Sequence, residues 1–322
     1  MREWLVERGI GETRAVLVEE GEIVEALIEL DGAFPAGTVM TARLASTGTN
    51  GRNAVAISEG GHEYLLPRGA PTATQGATIT IEVTRERIPG TEPWKRSLAR
   101  VTDKPLQTLP PLNERVGGRL LPFPAPSDAL EDFAWDDLID EARNGTIAFA
   151  GGELRISPTS AMTLVDVDGY LDPDELAVLG ASEAGRAIRR LHIGGSIGID
   201  LPTASGKSAR QRAAAAIDAS LPQPFERTAV NGFGFVQIVR PRHRASLVEL
   251  AQDGAAFEGR ALIRRAVFDG PGAMRLVANR AVIAALESRP EWLAALSQQI
   301  GGAVSLRADA ALPISGGYAE AV

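Results

Sequence analysis

Two short apolar segments that each end in aspartate constrain the fold of this chain most strongly. The first runs from Ala161 to Gly169 and contains Asp166 and Asp168, and the second runs from Gly194 to Asp200. An apolar run bounded by turn residues is typical of a buried strand in a parallel sheet. Adjacent parallel strands would bring Asp166 and Asp200 together at one sheet edge, with Asp168 on the same face as Asp166.

This acid cluster suggests a metal site. Clustered carboxylates repel one another and raise one another's pKa values unless a cation neutralises them. Oxygen ligands suit Mg²⁺ or Mn²⁺, so the spacing favours a metal-dependent site that acts on phosphates. Aspartate and glycine are also common in turns and at helix caps, so a purely structural role for these acids stays open.

The composition is that of a soluble globular protein and excludes several kinds of site. The 322 residues are 44% hydrophobic and 23% charged, enough for two or three domains. There is no cysteine, which excludes disulfides, thiolate zinc sites and cysteine nucleophiles. No apolar run reaches the roughly 18 residues of a membrane span. We therefore expect a cytoplasmic protein with no membrane partner. The net charge of −8 argues against generic polyanion coating, although basic residues concentrate in 85–104 and 227–244.

Local patterns predict a β-rich N-terminal part. Residues 2–30 read as two strands joined by a turn, and residues 37–103 contain five short strands separated by glycine turns. Five strands in about 65 residues suggest a small closed barrel of the OB type. The six prolines of residues 105–127 indicate a connection between domains, and a short helix is expected over 128–144.

Strands and helices alternate in the rest of the chain. Asp172 is the predicted cap of a helix that begins at Pro173, and an alanine-rich helix is predicted over 208–220. Strands are expected at 153–157, 162–166, 197–200 and 235–239. Beyond residue 244, the pattern predicts helices near 246–252, 259–268, 278–288 and 291–300, then a strand at 304–307.

Three sequence motifs, in this order along the chain, resemble those of the ribonuclease E/G family. The first combines a Gly-Gly strand, a Thr-x-Ala segment and Val165-Asp166-Val167-Asp168, where the family has Ile-Asp-(Ile/Val)-(Asn/Asp). The second, Gly-Gly-x-Ile-x-Ile-Asp-(Phe/Leu) in the family, is similar to residues 194–201. The third runs from Asn231 through a hydrophobic strand to basic residues at Arg240 and Arg242.

The resemblance implies an α+β and α/β architecture. An OB-type β-barrel would be inserted near the N-terminus of an RNase-H-like remnant. A DNase-I-like mixed α/β catalytic domain and a small C-terminal α/β domain would follow. The implied parts are an RNase-H-like β-hairpin (1–36), the OB-fold RNA-binding barrel (37–103), the Pro-rich connection and short helix (104–145), the catalytic domain (146–244) and the C-terminal domain (245–322).

The same resemblance assigns Asp166 and Asp200 as the catalytic metal-binding aspartates. Asp168 falls where many members carry an asparagine that supports the metal site. Basic RNA contacts are implied at Arg85 and at Lys95 or Arg96, although surface charge alone explains them equally. Tyr64 and Trp94 could offer ring faces to bases, and Tyr64 could equally be a half-buried strand residue. A phosphate clamp is expected from the arginines that follow the last strand: Arg240, Arg242 or Arg244.

One further motif, Ala204 to Ser208, contains half of a phosphate-binding P-loop. Its required first glycine would fall at Leu201, so nucleotide hydrolysis is not favoured. Lys207 is better read as a contact to RNA phosphate, or as a lysine in the first turn of an exposed helix.

The predicted function is therefore a Mg²⁺-dependent endoribonuclease, with Mn²⁺ as the other suitable ion and no zinc. The alternative is a non-catalytic RNA-binding or regulatory protein derived from such a nuclease. The chain has no room for the family's 5′-sensor domain, so we expect no preference for 5′-monophosphorylated RNA. It also lacks the cysteines of the zinc link, so a homo-oligomer would have to form without that link.

Overall fold

The computed structural model describes residues 2–89 and 95–322. In chain order the strands are β1 (Arg2–Arg8), β2 (Glu12–Glu19), β3 (Glu22–Leu30), β4 (Val39–Ser46), β5 (Ala54–Ser58), β6 (Glu63–Leu66), β7 (Thr78–Arg85), β8 (Ser97–Val101), β9 (Arg119–Leu120), β10 (Thr146–Phe149), β11 (Gly152–Pro158), β12 (Thr163–Gly169), β13 (Gly195–Asp200), β14 (Glu226–Arg227), β15 (Phe235–Arg240), β16 (Met274–Ala278), β17 (Val304–Ala308) and β18 (Tyr318–Ala321).

The helices alternate with these strands mainly in the second half of the chain. They are α1 (Leu112–Val116), α2 (Trp135–Asn144), α3 (Pro173–Arg190), α4 (Lys207–Ser220), α5 (Leu247–Gln252), α6 (Gly254–Phe268), α7 (Arg280–Glu287) and α8 (Pro290–Ile300), and a single 3₁₀ turn covers Glu131–Phe133.

The N-terminal strands form a sheet in the order β3-β2-β1-β9. Only two strands were predicted in residues 2–30, and the structure adds β1. The consecutive β1 residues Leu5 and Val6 are both buried, so β1 lacks the apolar–polar alternation of a strand with one solvent-exposed face. The residues before 37 pair with the chain beyond 110, because β9 lies in parallel beside β1. The predicted 105–127 connection therefore contains two ordered elements, α1 and β9.

Residues 39–101 close into a five-stranded barrel in the order β4-β5-β6-β8-β7, and β7 pairs back onto β4. The β6–β8 pair is parallel and the other pairs are antiparallel. This topology is compatible with an OB-type barrel. The five strands expected from the sequence are confirmed.

The α/β layer is a six-stranded sheet in the order β10-β11-β12-β13-β15-β14. Helix α3 lies between this sheet and β3, and begins as predicted with the Asp172 side chain accepting the N–H of Asp174 (3.0 Å). Gly180 of α3 packs directly on Val167, because a Cβ at this glycine would lie 2.3 Å from the valine Cγ1. Helix α3 and the helices around it cover one face of the sheet and leave the other open. Strands β10 and β14, which are short, were not predicted.

A main hydrophobic core joins the N-terminal sheet, α2 to α5 and the six-stranded sheet. A second core lies under the C-terminal sheet, which has the order β17-β16-β18 and is covered by α6, α7 and α8. Residues from Ala245 to Phe257 contribute to the main core, so the predicted boundary at 245 does not coincide with a break in packing. The four C-terminal helices were predicted, whereas β16 and β18 were not.

Candidate active site

Asp166 and Asp200 are register partners on the adjacent parallel strands β12 and β13. Along β12, Val165 and Val167 are buried while Asp166 and Asp168 are exposed, so both acids project from the open face. Neighbouring strands are about 4.8 Å apart, which brings the carboxylates of Asp166 and Asp200 close together. The predicted juxtaposition is confirmed. The predicted end of the strand at Asp166 is wrong, because pairing with β11 extends β12 to Gly169.

The strands on either side supply the immediate neighbours of the acid pair. Arg155 of β11 lies opposite Asp166, and Phe235 of β15 lies opposite Asp200. The Phe235 ring covers Gly198, where a Cβ would lie 2.6 Å from its Cζ atom. Arg155 was not predicted to belong to the site. The sequence carried no signal for it, because its position depends on the antiparallel register between β11 and β12.

The electrostatics of the open face favour a bound cation. Partial burial, and then the charges of Asp168 and Asp200, raise the pKa of Asp166 above its ordinary value. Arg155 opposes this rise only weakly, because its guanidinium is paired with Glu153 at 2.6 Å. Within residues 2–89 and 95–322, neither Asp166 nor Asp200 forms an ion pair. Apart from the charge of Arg155, no counter-ion in the described chain offsets the repulsion between the two aspartates.

The two carboxylates suit an open Mg²⁺ site better than a structural site in which the protein supplies every metal ligand. The described residues contain no group of three or more His, Asp or Glu side chains that could hold a metal ion. Mg²⁺ in phosphate chemistry is commonly bound by one or two carboxylates, with water and substrate oxygens as the remaining ligands. Two carboxylates on an open sheet face fit that arrangement.

The predicted phosphate clamp is wrong for the acid pair. Arg240 pairs with Gly195, five residues along β13 from Asp200, or about 17 Å at the usual rise per residue. Its guanidinium donates to the carbonyl of Ile193 (3.2 Å), and burial lowers its pKa. It therefore points to the packed side of β15 and away from the open face.

The next two arginines are also used in packing. Arg242 forms an ion pair with Glu249 at the start of α5. Arg244 lies between two acids, 3.8 Å from Glu29 and 3.6 Å from Glu86. The basic segment after β15 joins the sheet to α5, β3 and the barrel, so its charges serve internal contacts.

The prediction that Tyr64 of the barrel could offer its ring to an RNA base is wrong. Its side chain is 2% exposed in the barrel core, and burial raises its pKa to about 12. It offers no ring face to a base. Arg85 donates to the carbonyl of Arg96 (2.9 Å), and Arg96 pairs with Glu63 (3.1 Å) while keeping 37% of its side chain exposed. Lys95 is partly exposed beside them, and Trp94 lies outside the described residues.

A cationic end of the barrel was not recognised from the sequence. Loops 47–53 and 67–77 meet at one end, where the Asn53 N–H donates to the carbonyl of Pro67 (3.3 Å). They carry Arg52 and Arg68, both exposed and without a partner in the described part of the chain. Between residues 32 and 81 the acids are Glu59 and Glu63, and both belong to the opposite end. The absence of acidic residues around Arg52 and Arg68 could therefore have indicated this cationic end from the sequence.

The loop after β13 is not a phosphate cradle. The Ser205 N–H and hydroxyl both donate to Asp174 at 2.7 Å, so this loop is fastened to the start of α3. Lys207 is the first residue of α4, exposed, with no hydrogen bond or ion pair to the residues that the structure describes. The reading of Lys207 as an exposed first-turn lysine is confirmed, and its ammonium remains free to contact a ligand.

A large cleft lies away from the acid pair. It has a volume of about 1230 Å³ between the barrel, the N-terminal sheet and the C-terminal helices. Its charged lining has both signs and includes Asp31, Glu63, Arg96, Arg260 and Arg289. The acid pair itself lies on an open sheet face. Small-molecule sites are usually enclosed, so an open face of this kind suits a polymer better.

Comparison with known proteins finds no family model and no curated protein that matches this chain. Of the helices that the structure describes, none has the length and apolar character needed to cross a membrane.

Proposed function

We propose that this chain is a Mg²⁺-dependent endoribonuclease that hydrolyses RNA phosphodiester bonds, with Asp166 and Asp200 as metal ligands. The observation that carries the proposal is their register pairing on an open sheet face, with the pKa of Asp166 raised by burial and by neighbouring charge. The three motifs that resemble those of the ribonuclease E/G family supply the substrate class. In this assignment the barrel is the OB-type RNA-binding module, the six-stranded layer is DNase-I-like and the N-terminal sheet is the RNase-H-like remnant.

The chemistry requires a nucleophilic water and relief of the charge that develops on the phosphate. A carboxylate-bound Mg²⁺, or Mn²⁺ in its place, supplies both when it is present. In the proposed site, Asp166 and Asp200 would hold the cation and Asp168 would orient a water or ligand beside it. Arg155 could turn from Glu153 to a phosphate oxygen, since 61% of its side chain is exposed. Lys207 and the barrel arginines Arg52 and Arg68 are the proposed contacts to the phosphate backbone of the RNA.

The test is cleavage of a fluorescently labelled structured RNA by the purified full-length chain, with Mg²⁺, with Mn²⁺ and with EDTA. Cleavage should require the metal and be lost in Asp200→Asn. The matched control is Asp132→Asn, which removes an exposed carboxylate of the 3₁₀ turn. Cleavage that survives EDTA, or that Asp200→Asn retains, contradicts the proposal.

A second candidate function is binding of RNA without cleavage. The specific observation in its favour is that Arg240, Arg242 and Arg244, the expected phosphate clamp, are all occupied in internal contacts. An ion pair filling the metal position would have supported this alternative further, but Asp166 and Asp200 form none within the described residues. Retained RNA affinity without any metal-dependent cleavage would favour it.

A further inference from the structure

Two aromatic rings stand almost fully exposed beside the acid pair. Tyr170 and Phe233 are 84% and 83% exposed. These are the highest exposed fractions among the large apolar residues that the structure describes. Burial of an aromatic side chain is a main source of its stabilising effect, so rings this exposed contribute little to the fold. Exposed apolar groups next to a functional site often mark a contact with a ligand.

Both rings lie at the end of the sheet where the acids are. Tyr170 is two residues beyond Asp168, and its N–H donates to the carbonyl of Gly151 (3.2 Å), which continues the β11–β12 ladder. Phe233 lies in the turn before β15, two residues from Phe235, the register partner of Asp200. Tyr170 therefore follows the end of β12, the strand that carries Asp166, and Phe233 precedes β15, the strand next to Asp200. Strands β12 and β15 are about 10 Å apart at the usual strand spacing.

The backbone under each ring is well fixed. The Asn231 side chain accepts the N–H groups of Phe233 (2.8 Å) and Phe235 (3.1 Å), and the Thr203 hydroxyl donates to the carbonyl of Phe233 (3.4 Å). On the other strand, the neighbouring Leu171 side chain packs over Gly151, where a Cβ would lie 2.4 Å from its Cδ1 atom. Neither ring contacts another ring or a guanidinium among the described residues. The rings are thus anchored at their base and free on their faces.

We propose that Tyr170 and Phe233 form a stacking platform for unpaired RNA bases on the two sides of the phosphate that binds at Asp166 and Asp200. This inference rests on the proposed nuclease function and narrows its substrate to single-stranded RNA. Stacking on an aromatic ring contributes about 1–3 kcal/mol per base and tolerates any base, because every base has a π-face. Bases within a duplex are already stacked and cannot reach the rings.

The choice of RNA over a protein partner follows from the chemistry around the rings. The open face also carries the exposed apolar side chains of Leu164 (38%) and Val239 (53%), but both lie toward the other end of their strands, away from the two rings. The rings lie at strand ends close to three exposed carboxylates, those of Asp166, Asp168 and Asp200. A site that combines ring faces with a cation-binding acid pair matches the bases and phosphates of a flexible strand.

The test uses the full-length chain with Ca²⁺ in place of Mg²⁺, so that a cation with oxygen ligands still occupies the acid pair while binding is measured. The probe is a single-stranded RNA of about 12 nucleotides with 2-aminopurine at its centre, and the same RNA annealed to its complement. Tyr170→Ala and Phe233→Ala should each weaken binding of the single strand about tenfold and restore 2-aminopurine fluorescence, while duplex binding changes little. Tyr170→Phe keeps a ring and should bind as the parent does. Tyr318→Ala removes a partly exposed ring of the C-terminal sheet and is the matched control.

The outcome that overturns the platform is a Tyr170→Ala/Phe233→Ala double variant that binds the single strand within twofold of the parent. This result is separable from failure of the nuclease proposal, because the binding assay does not depend on catalysis. Metal-dependent cleavage that needs Asp200 but not the rings would remove the platform alone. Ring-dependent binding without any cleavage would remove the nuclease alone.

Discussion

Asp166 lies directly opposite Asp200 on a neighbouring parallel strand, with no ion pair to either side chain in the described residues. A protein usually separates or neutralises two such charges, since their repulsion raises a carboxyl pKa and lowers stability. Their persistence on an open face is the physical basis of the proposed metal site. Because both side chains are exposed, single substitutions can test the proposed site.

We expect Asp200→Asn to abolish Mg²⁺-dependent cleavage without loss of the fold. The change removes one metal ligand and one repulsive charge, so the melting temperature should stay the same or rise slightly. Cleavage assays and thermal denaturation followed by circular dichroism measure the two effects. A variant that unfolds would mean that Asp200 has a structural role missing from the contacts described above.

Asp168→Asn should preserve the proposed cleavage activity and shift the acid limb of its pH profile to lower pH. The charge of Asp168 contributes to the raised pKa of Asp166. Removing this charge lowers that pKa, so Asp166 stays ionised and able to hold a cation at more acidic pH. Cleavage rates between pH 4.5 and 8 provide the measurement, with Asp132→Asn as the variant that should not shift. An unshifted limb in Asp168→Asn would show that another group controls it.

Arg52→Glu combined with Arg68→Glu should weaken RNA binding and flatten its salt dependence. If these arginines contact phosphates, each contact removed lowers the slope of log K against log salt by about 0.7 for a single strand. Fluorescence anisotropy at several salt concentrations measures this slope. Arg119→Glu alters an exposed arginine beside β1 and serves as control. An unchanged slope would remove the barrel end from the RNA path.

Glu86→Gln should stabilise the protein selectively at neutral and alkaline pH. Burial raises the pKa of Glu86 to about 7. A carboxyl with a raised pKa contributes most stability below its unfolded pKa, and this contribution is lost as the pH rises through about 7. The glutamine has no such titration, so the gain over the parent should grow from pH 5 to pH 8.5, up to about 3 kcal/mol. Urea unfolding at each pH tests this, and a pH-independent difference would contradict it.

Arg14→Met should destabilise the protein by about 3–5 kcal/mol, because it leaves the buried carboxylate of Glu7 without its partner and Asp128 with Arg264 alone. Arg14 is 1% exposed and lies 2.6 Å from Glu7 and 2.9 Å from Asp128, which connects β2 to the segment before α2. The exposed Arg119–Glu3 pair is the matched comparison, and Arg119→Ala should cost less than about 1 kcal/mol. Equal costs in urea unfolding would show that burial does not decide the strength of these pairs.

Local sequence determined the features that depend on neighbours along the chain. Short runs separated by glycine turns in residues 37–103 predicted the five barrel strands, and Asp172 with Pro173 marked the start of α3. The acid-terminated runs predicted that Asp166 and Asp200 would meet, because parallel buried strands have few ways to pair. The same local rules missed β1, where both Leu5 and Val6 are buried and the alternation is lost.

Tertiary structure alone decided which charged and aromatic groups reach the site. Arg155 lies opposite Asp166 only through the register of β11 on β12, and Arg240 turns to the packed face because of its position on β15. Tyr64 is buried since its strand faces the barrel core, whereas Tyr170 and Phe233 remain exposed at strand ends. A one-residue change of register reverses the face of every side chain on a strand. Such outcomes depend on long-range pairing, which local composition does not encode.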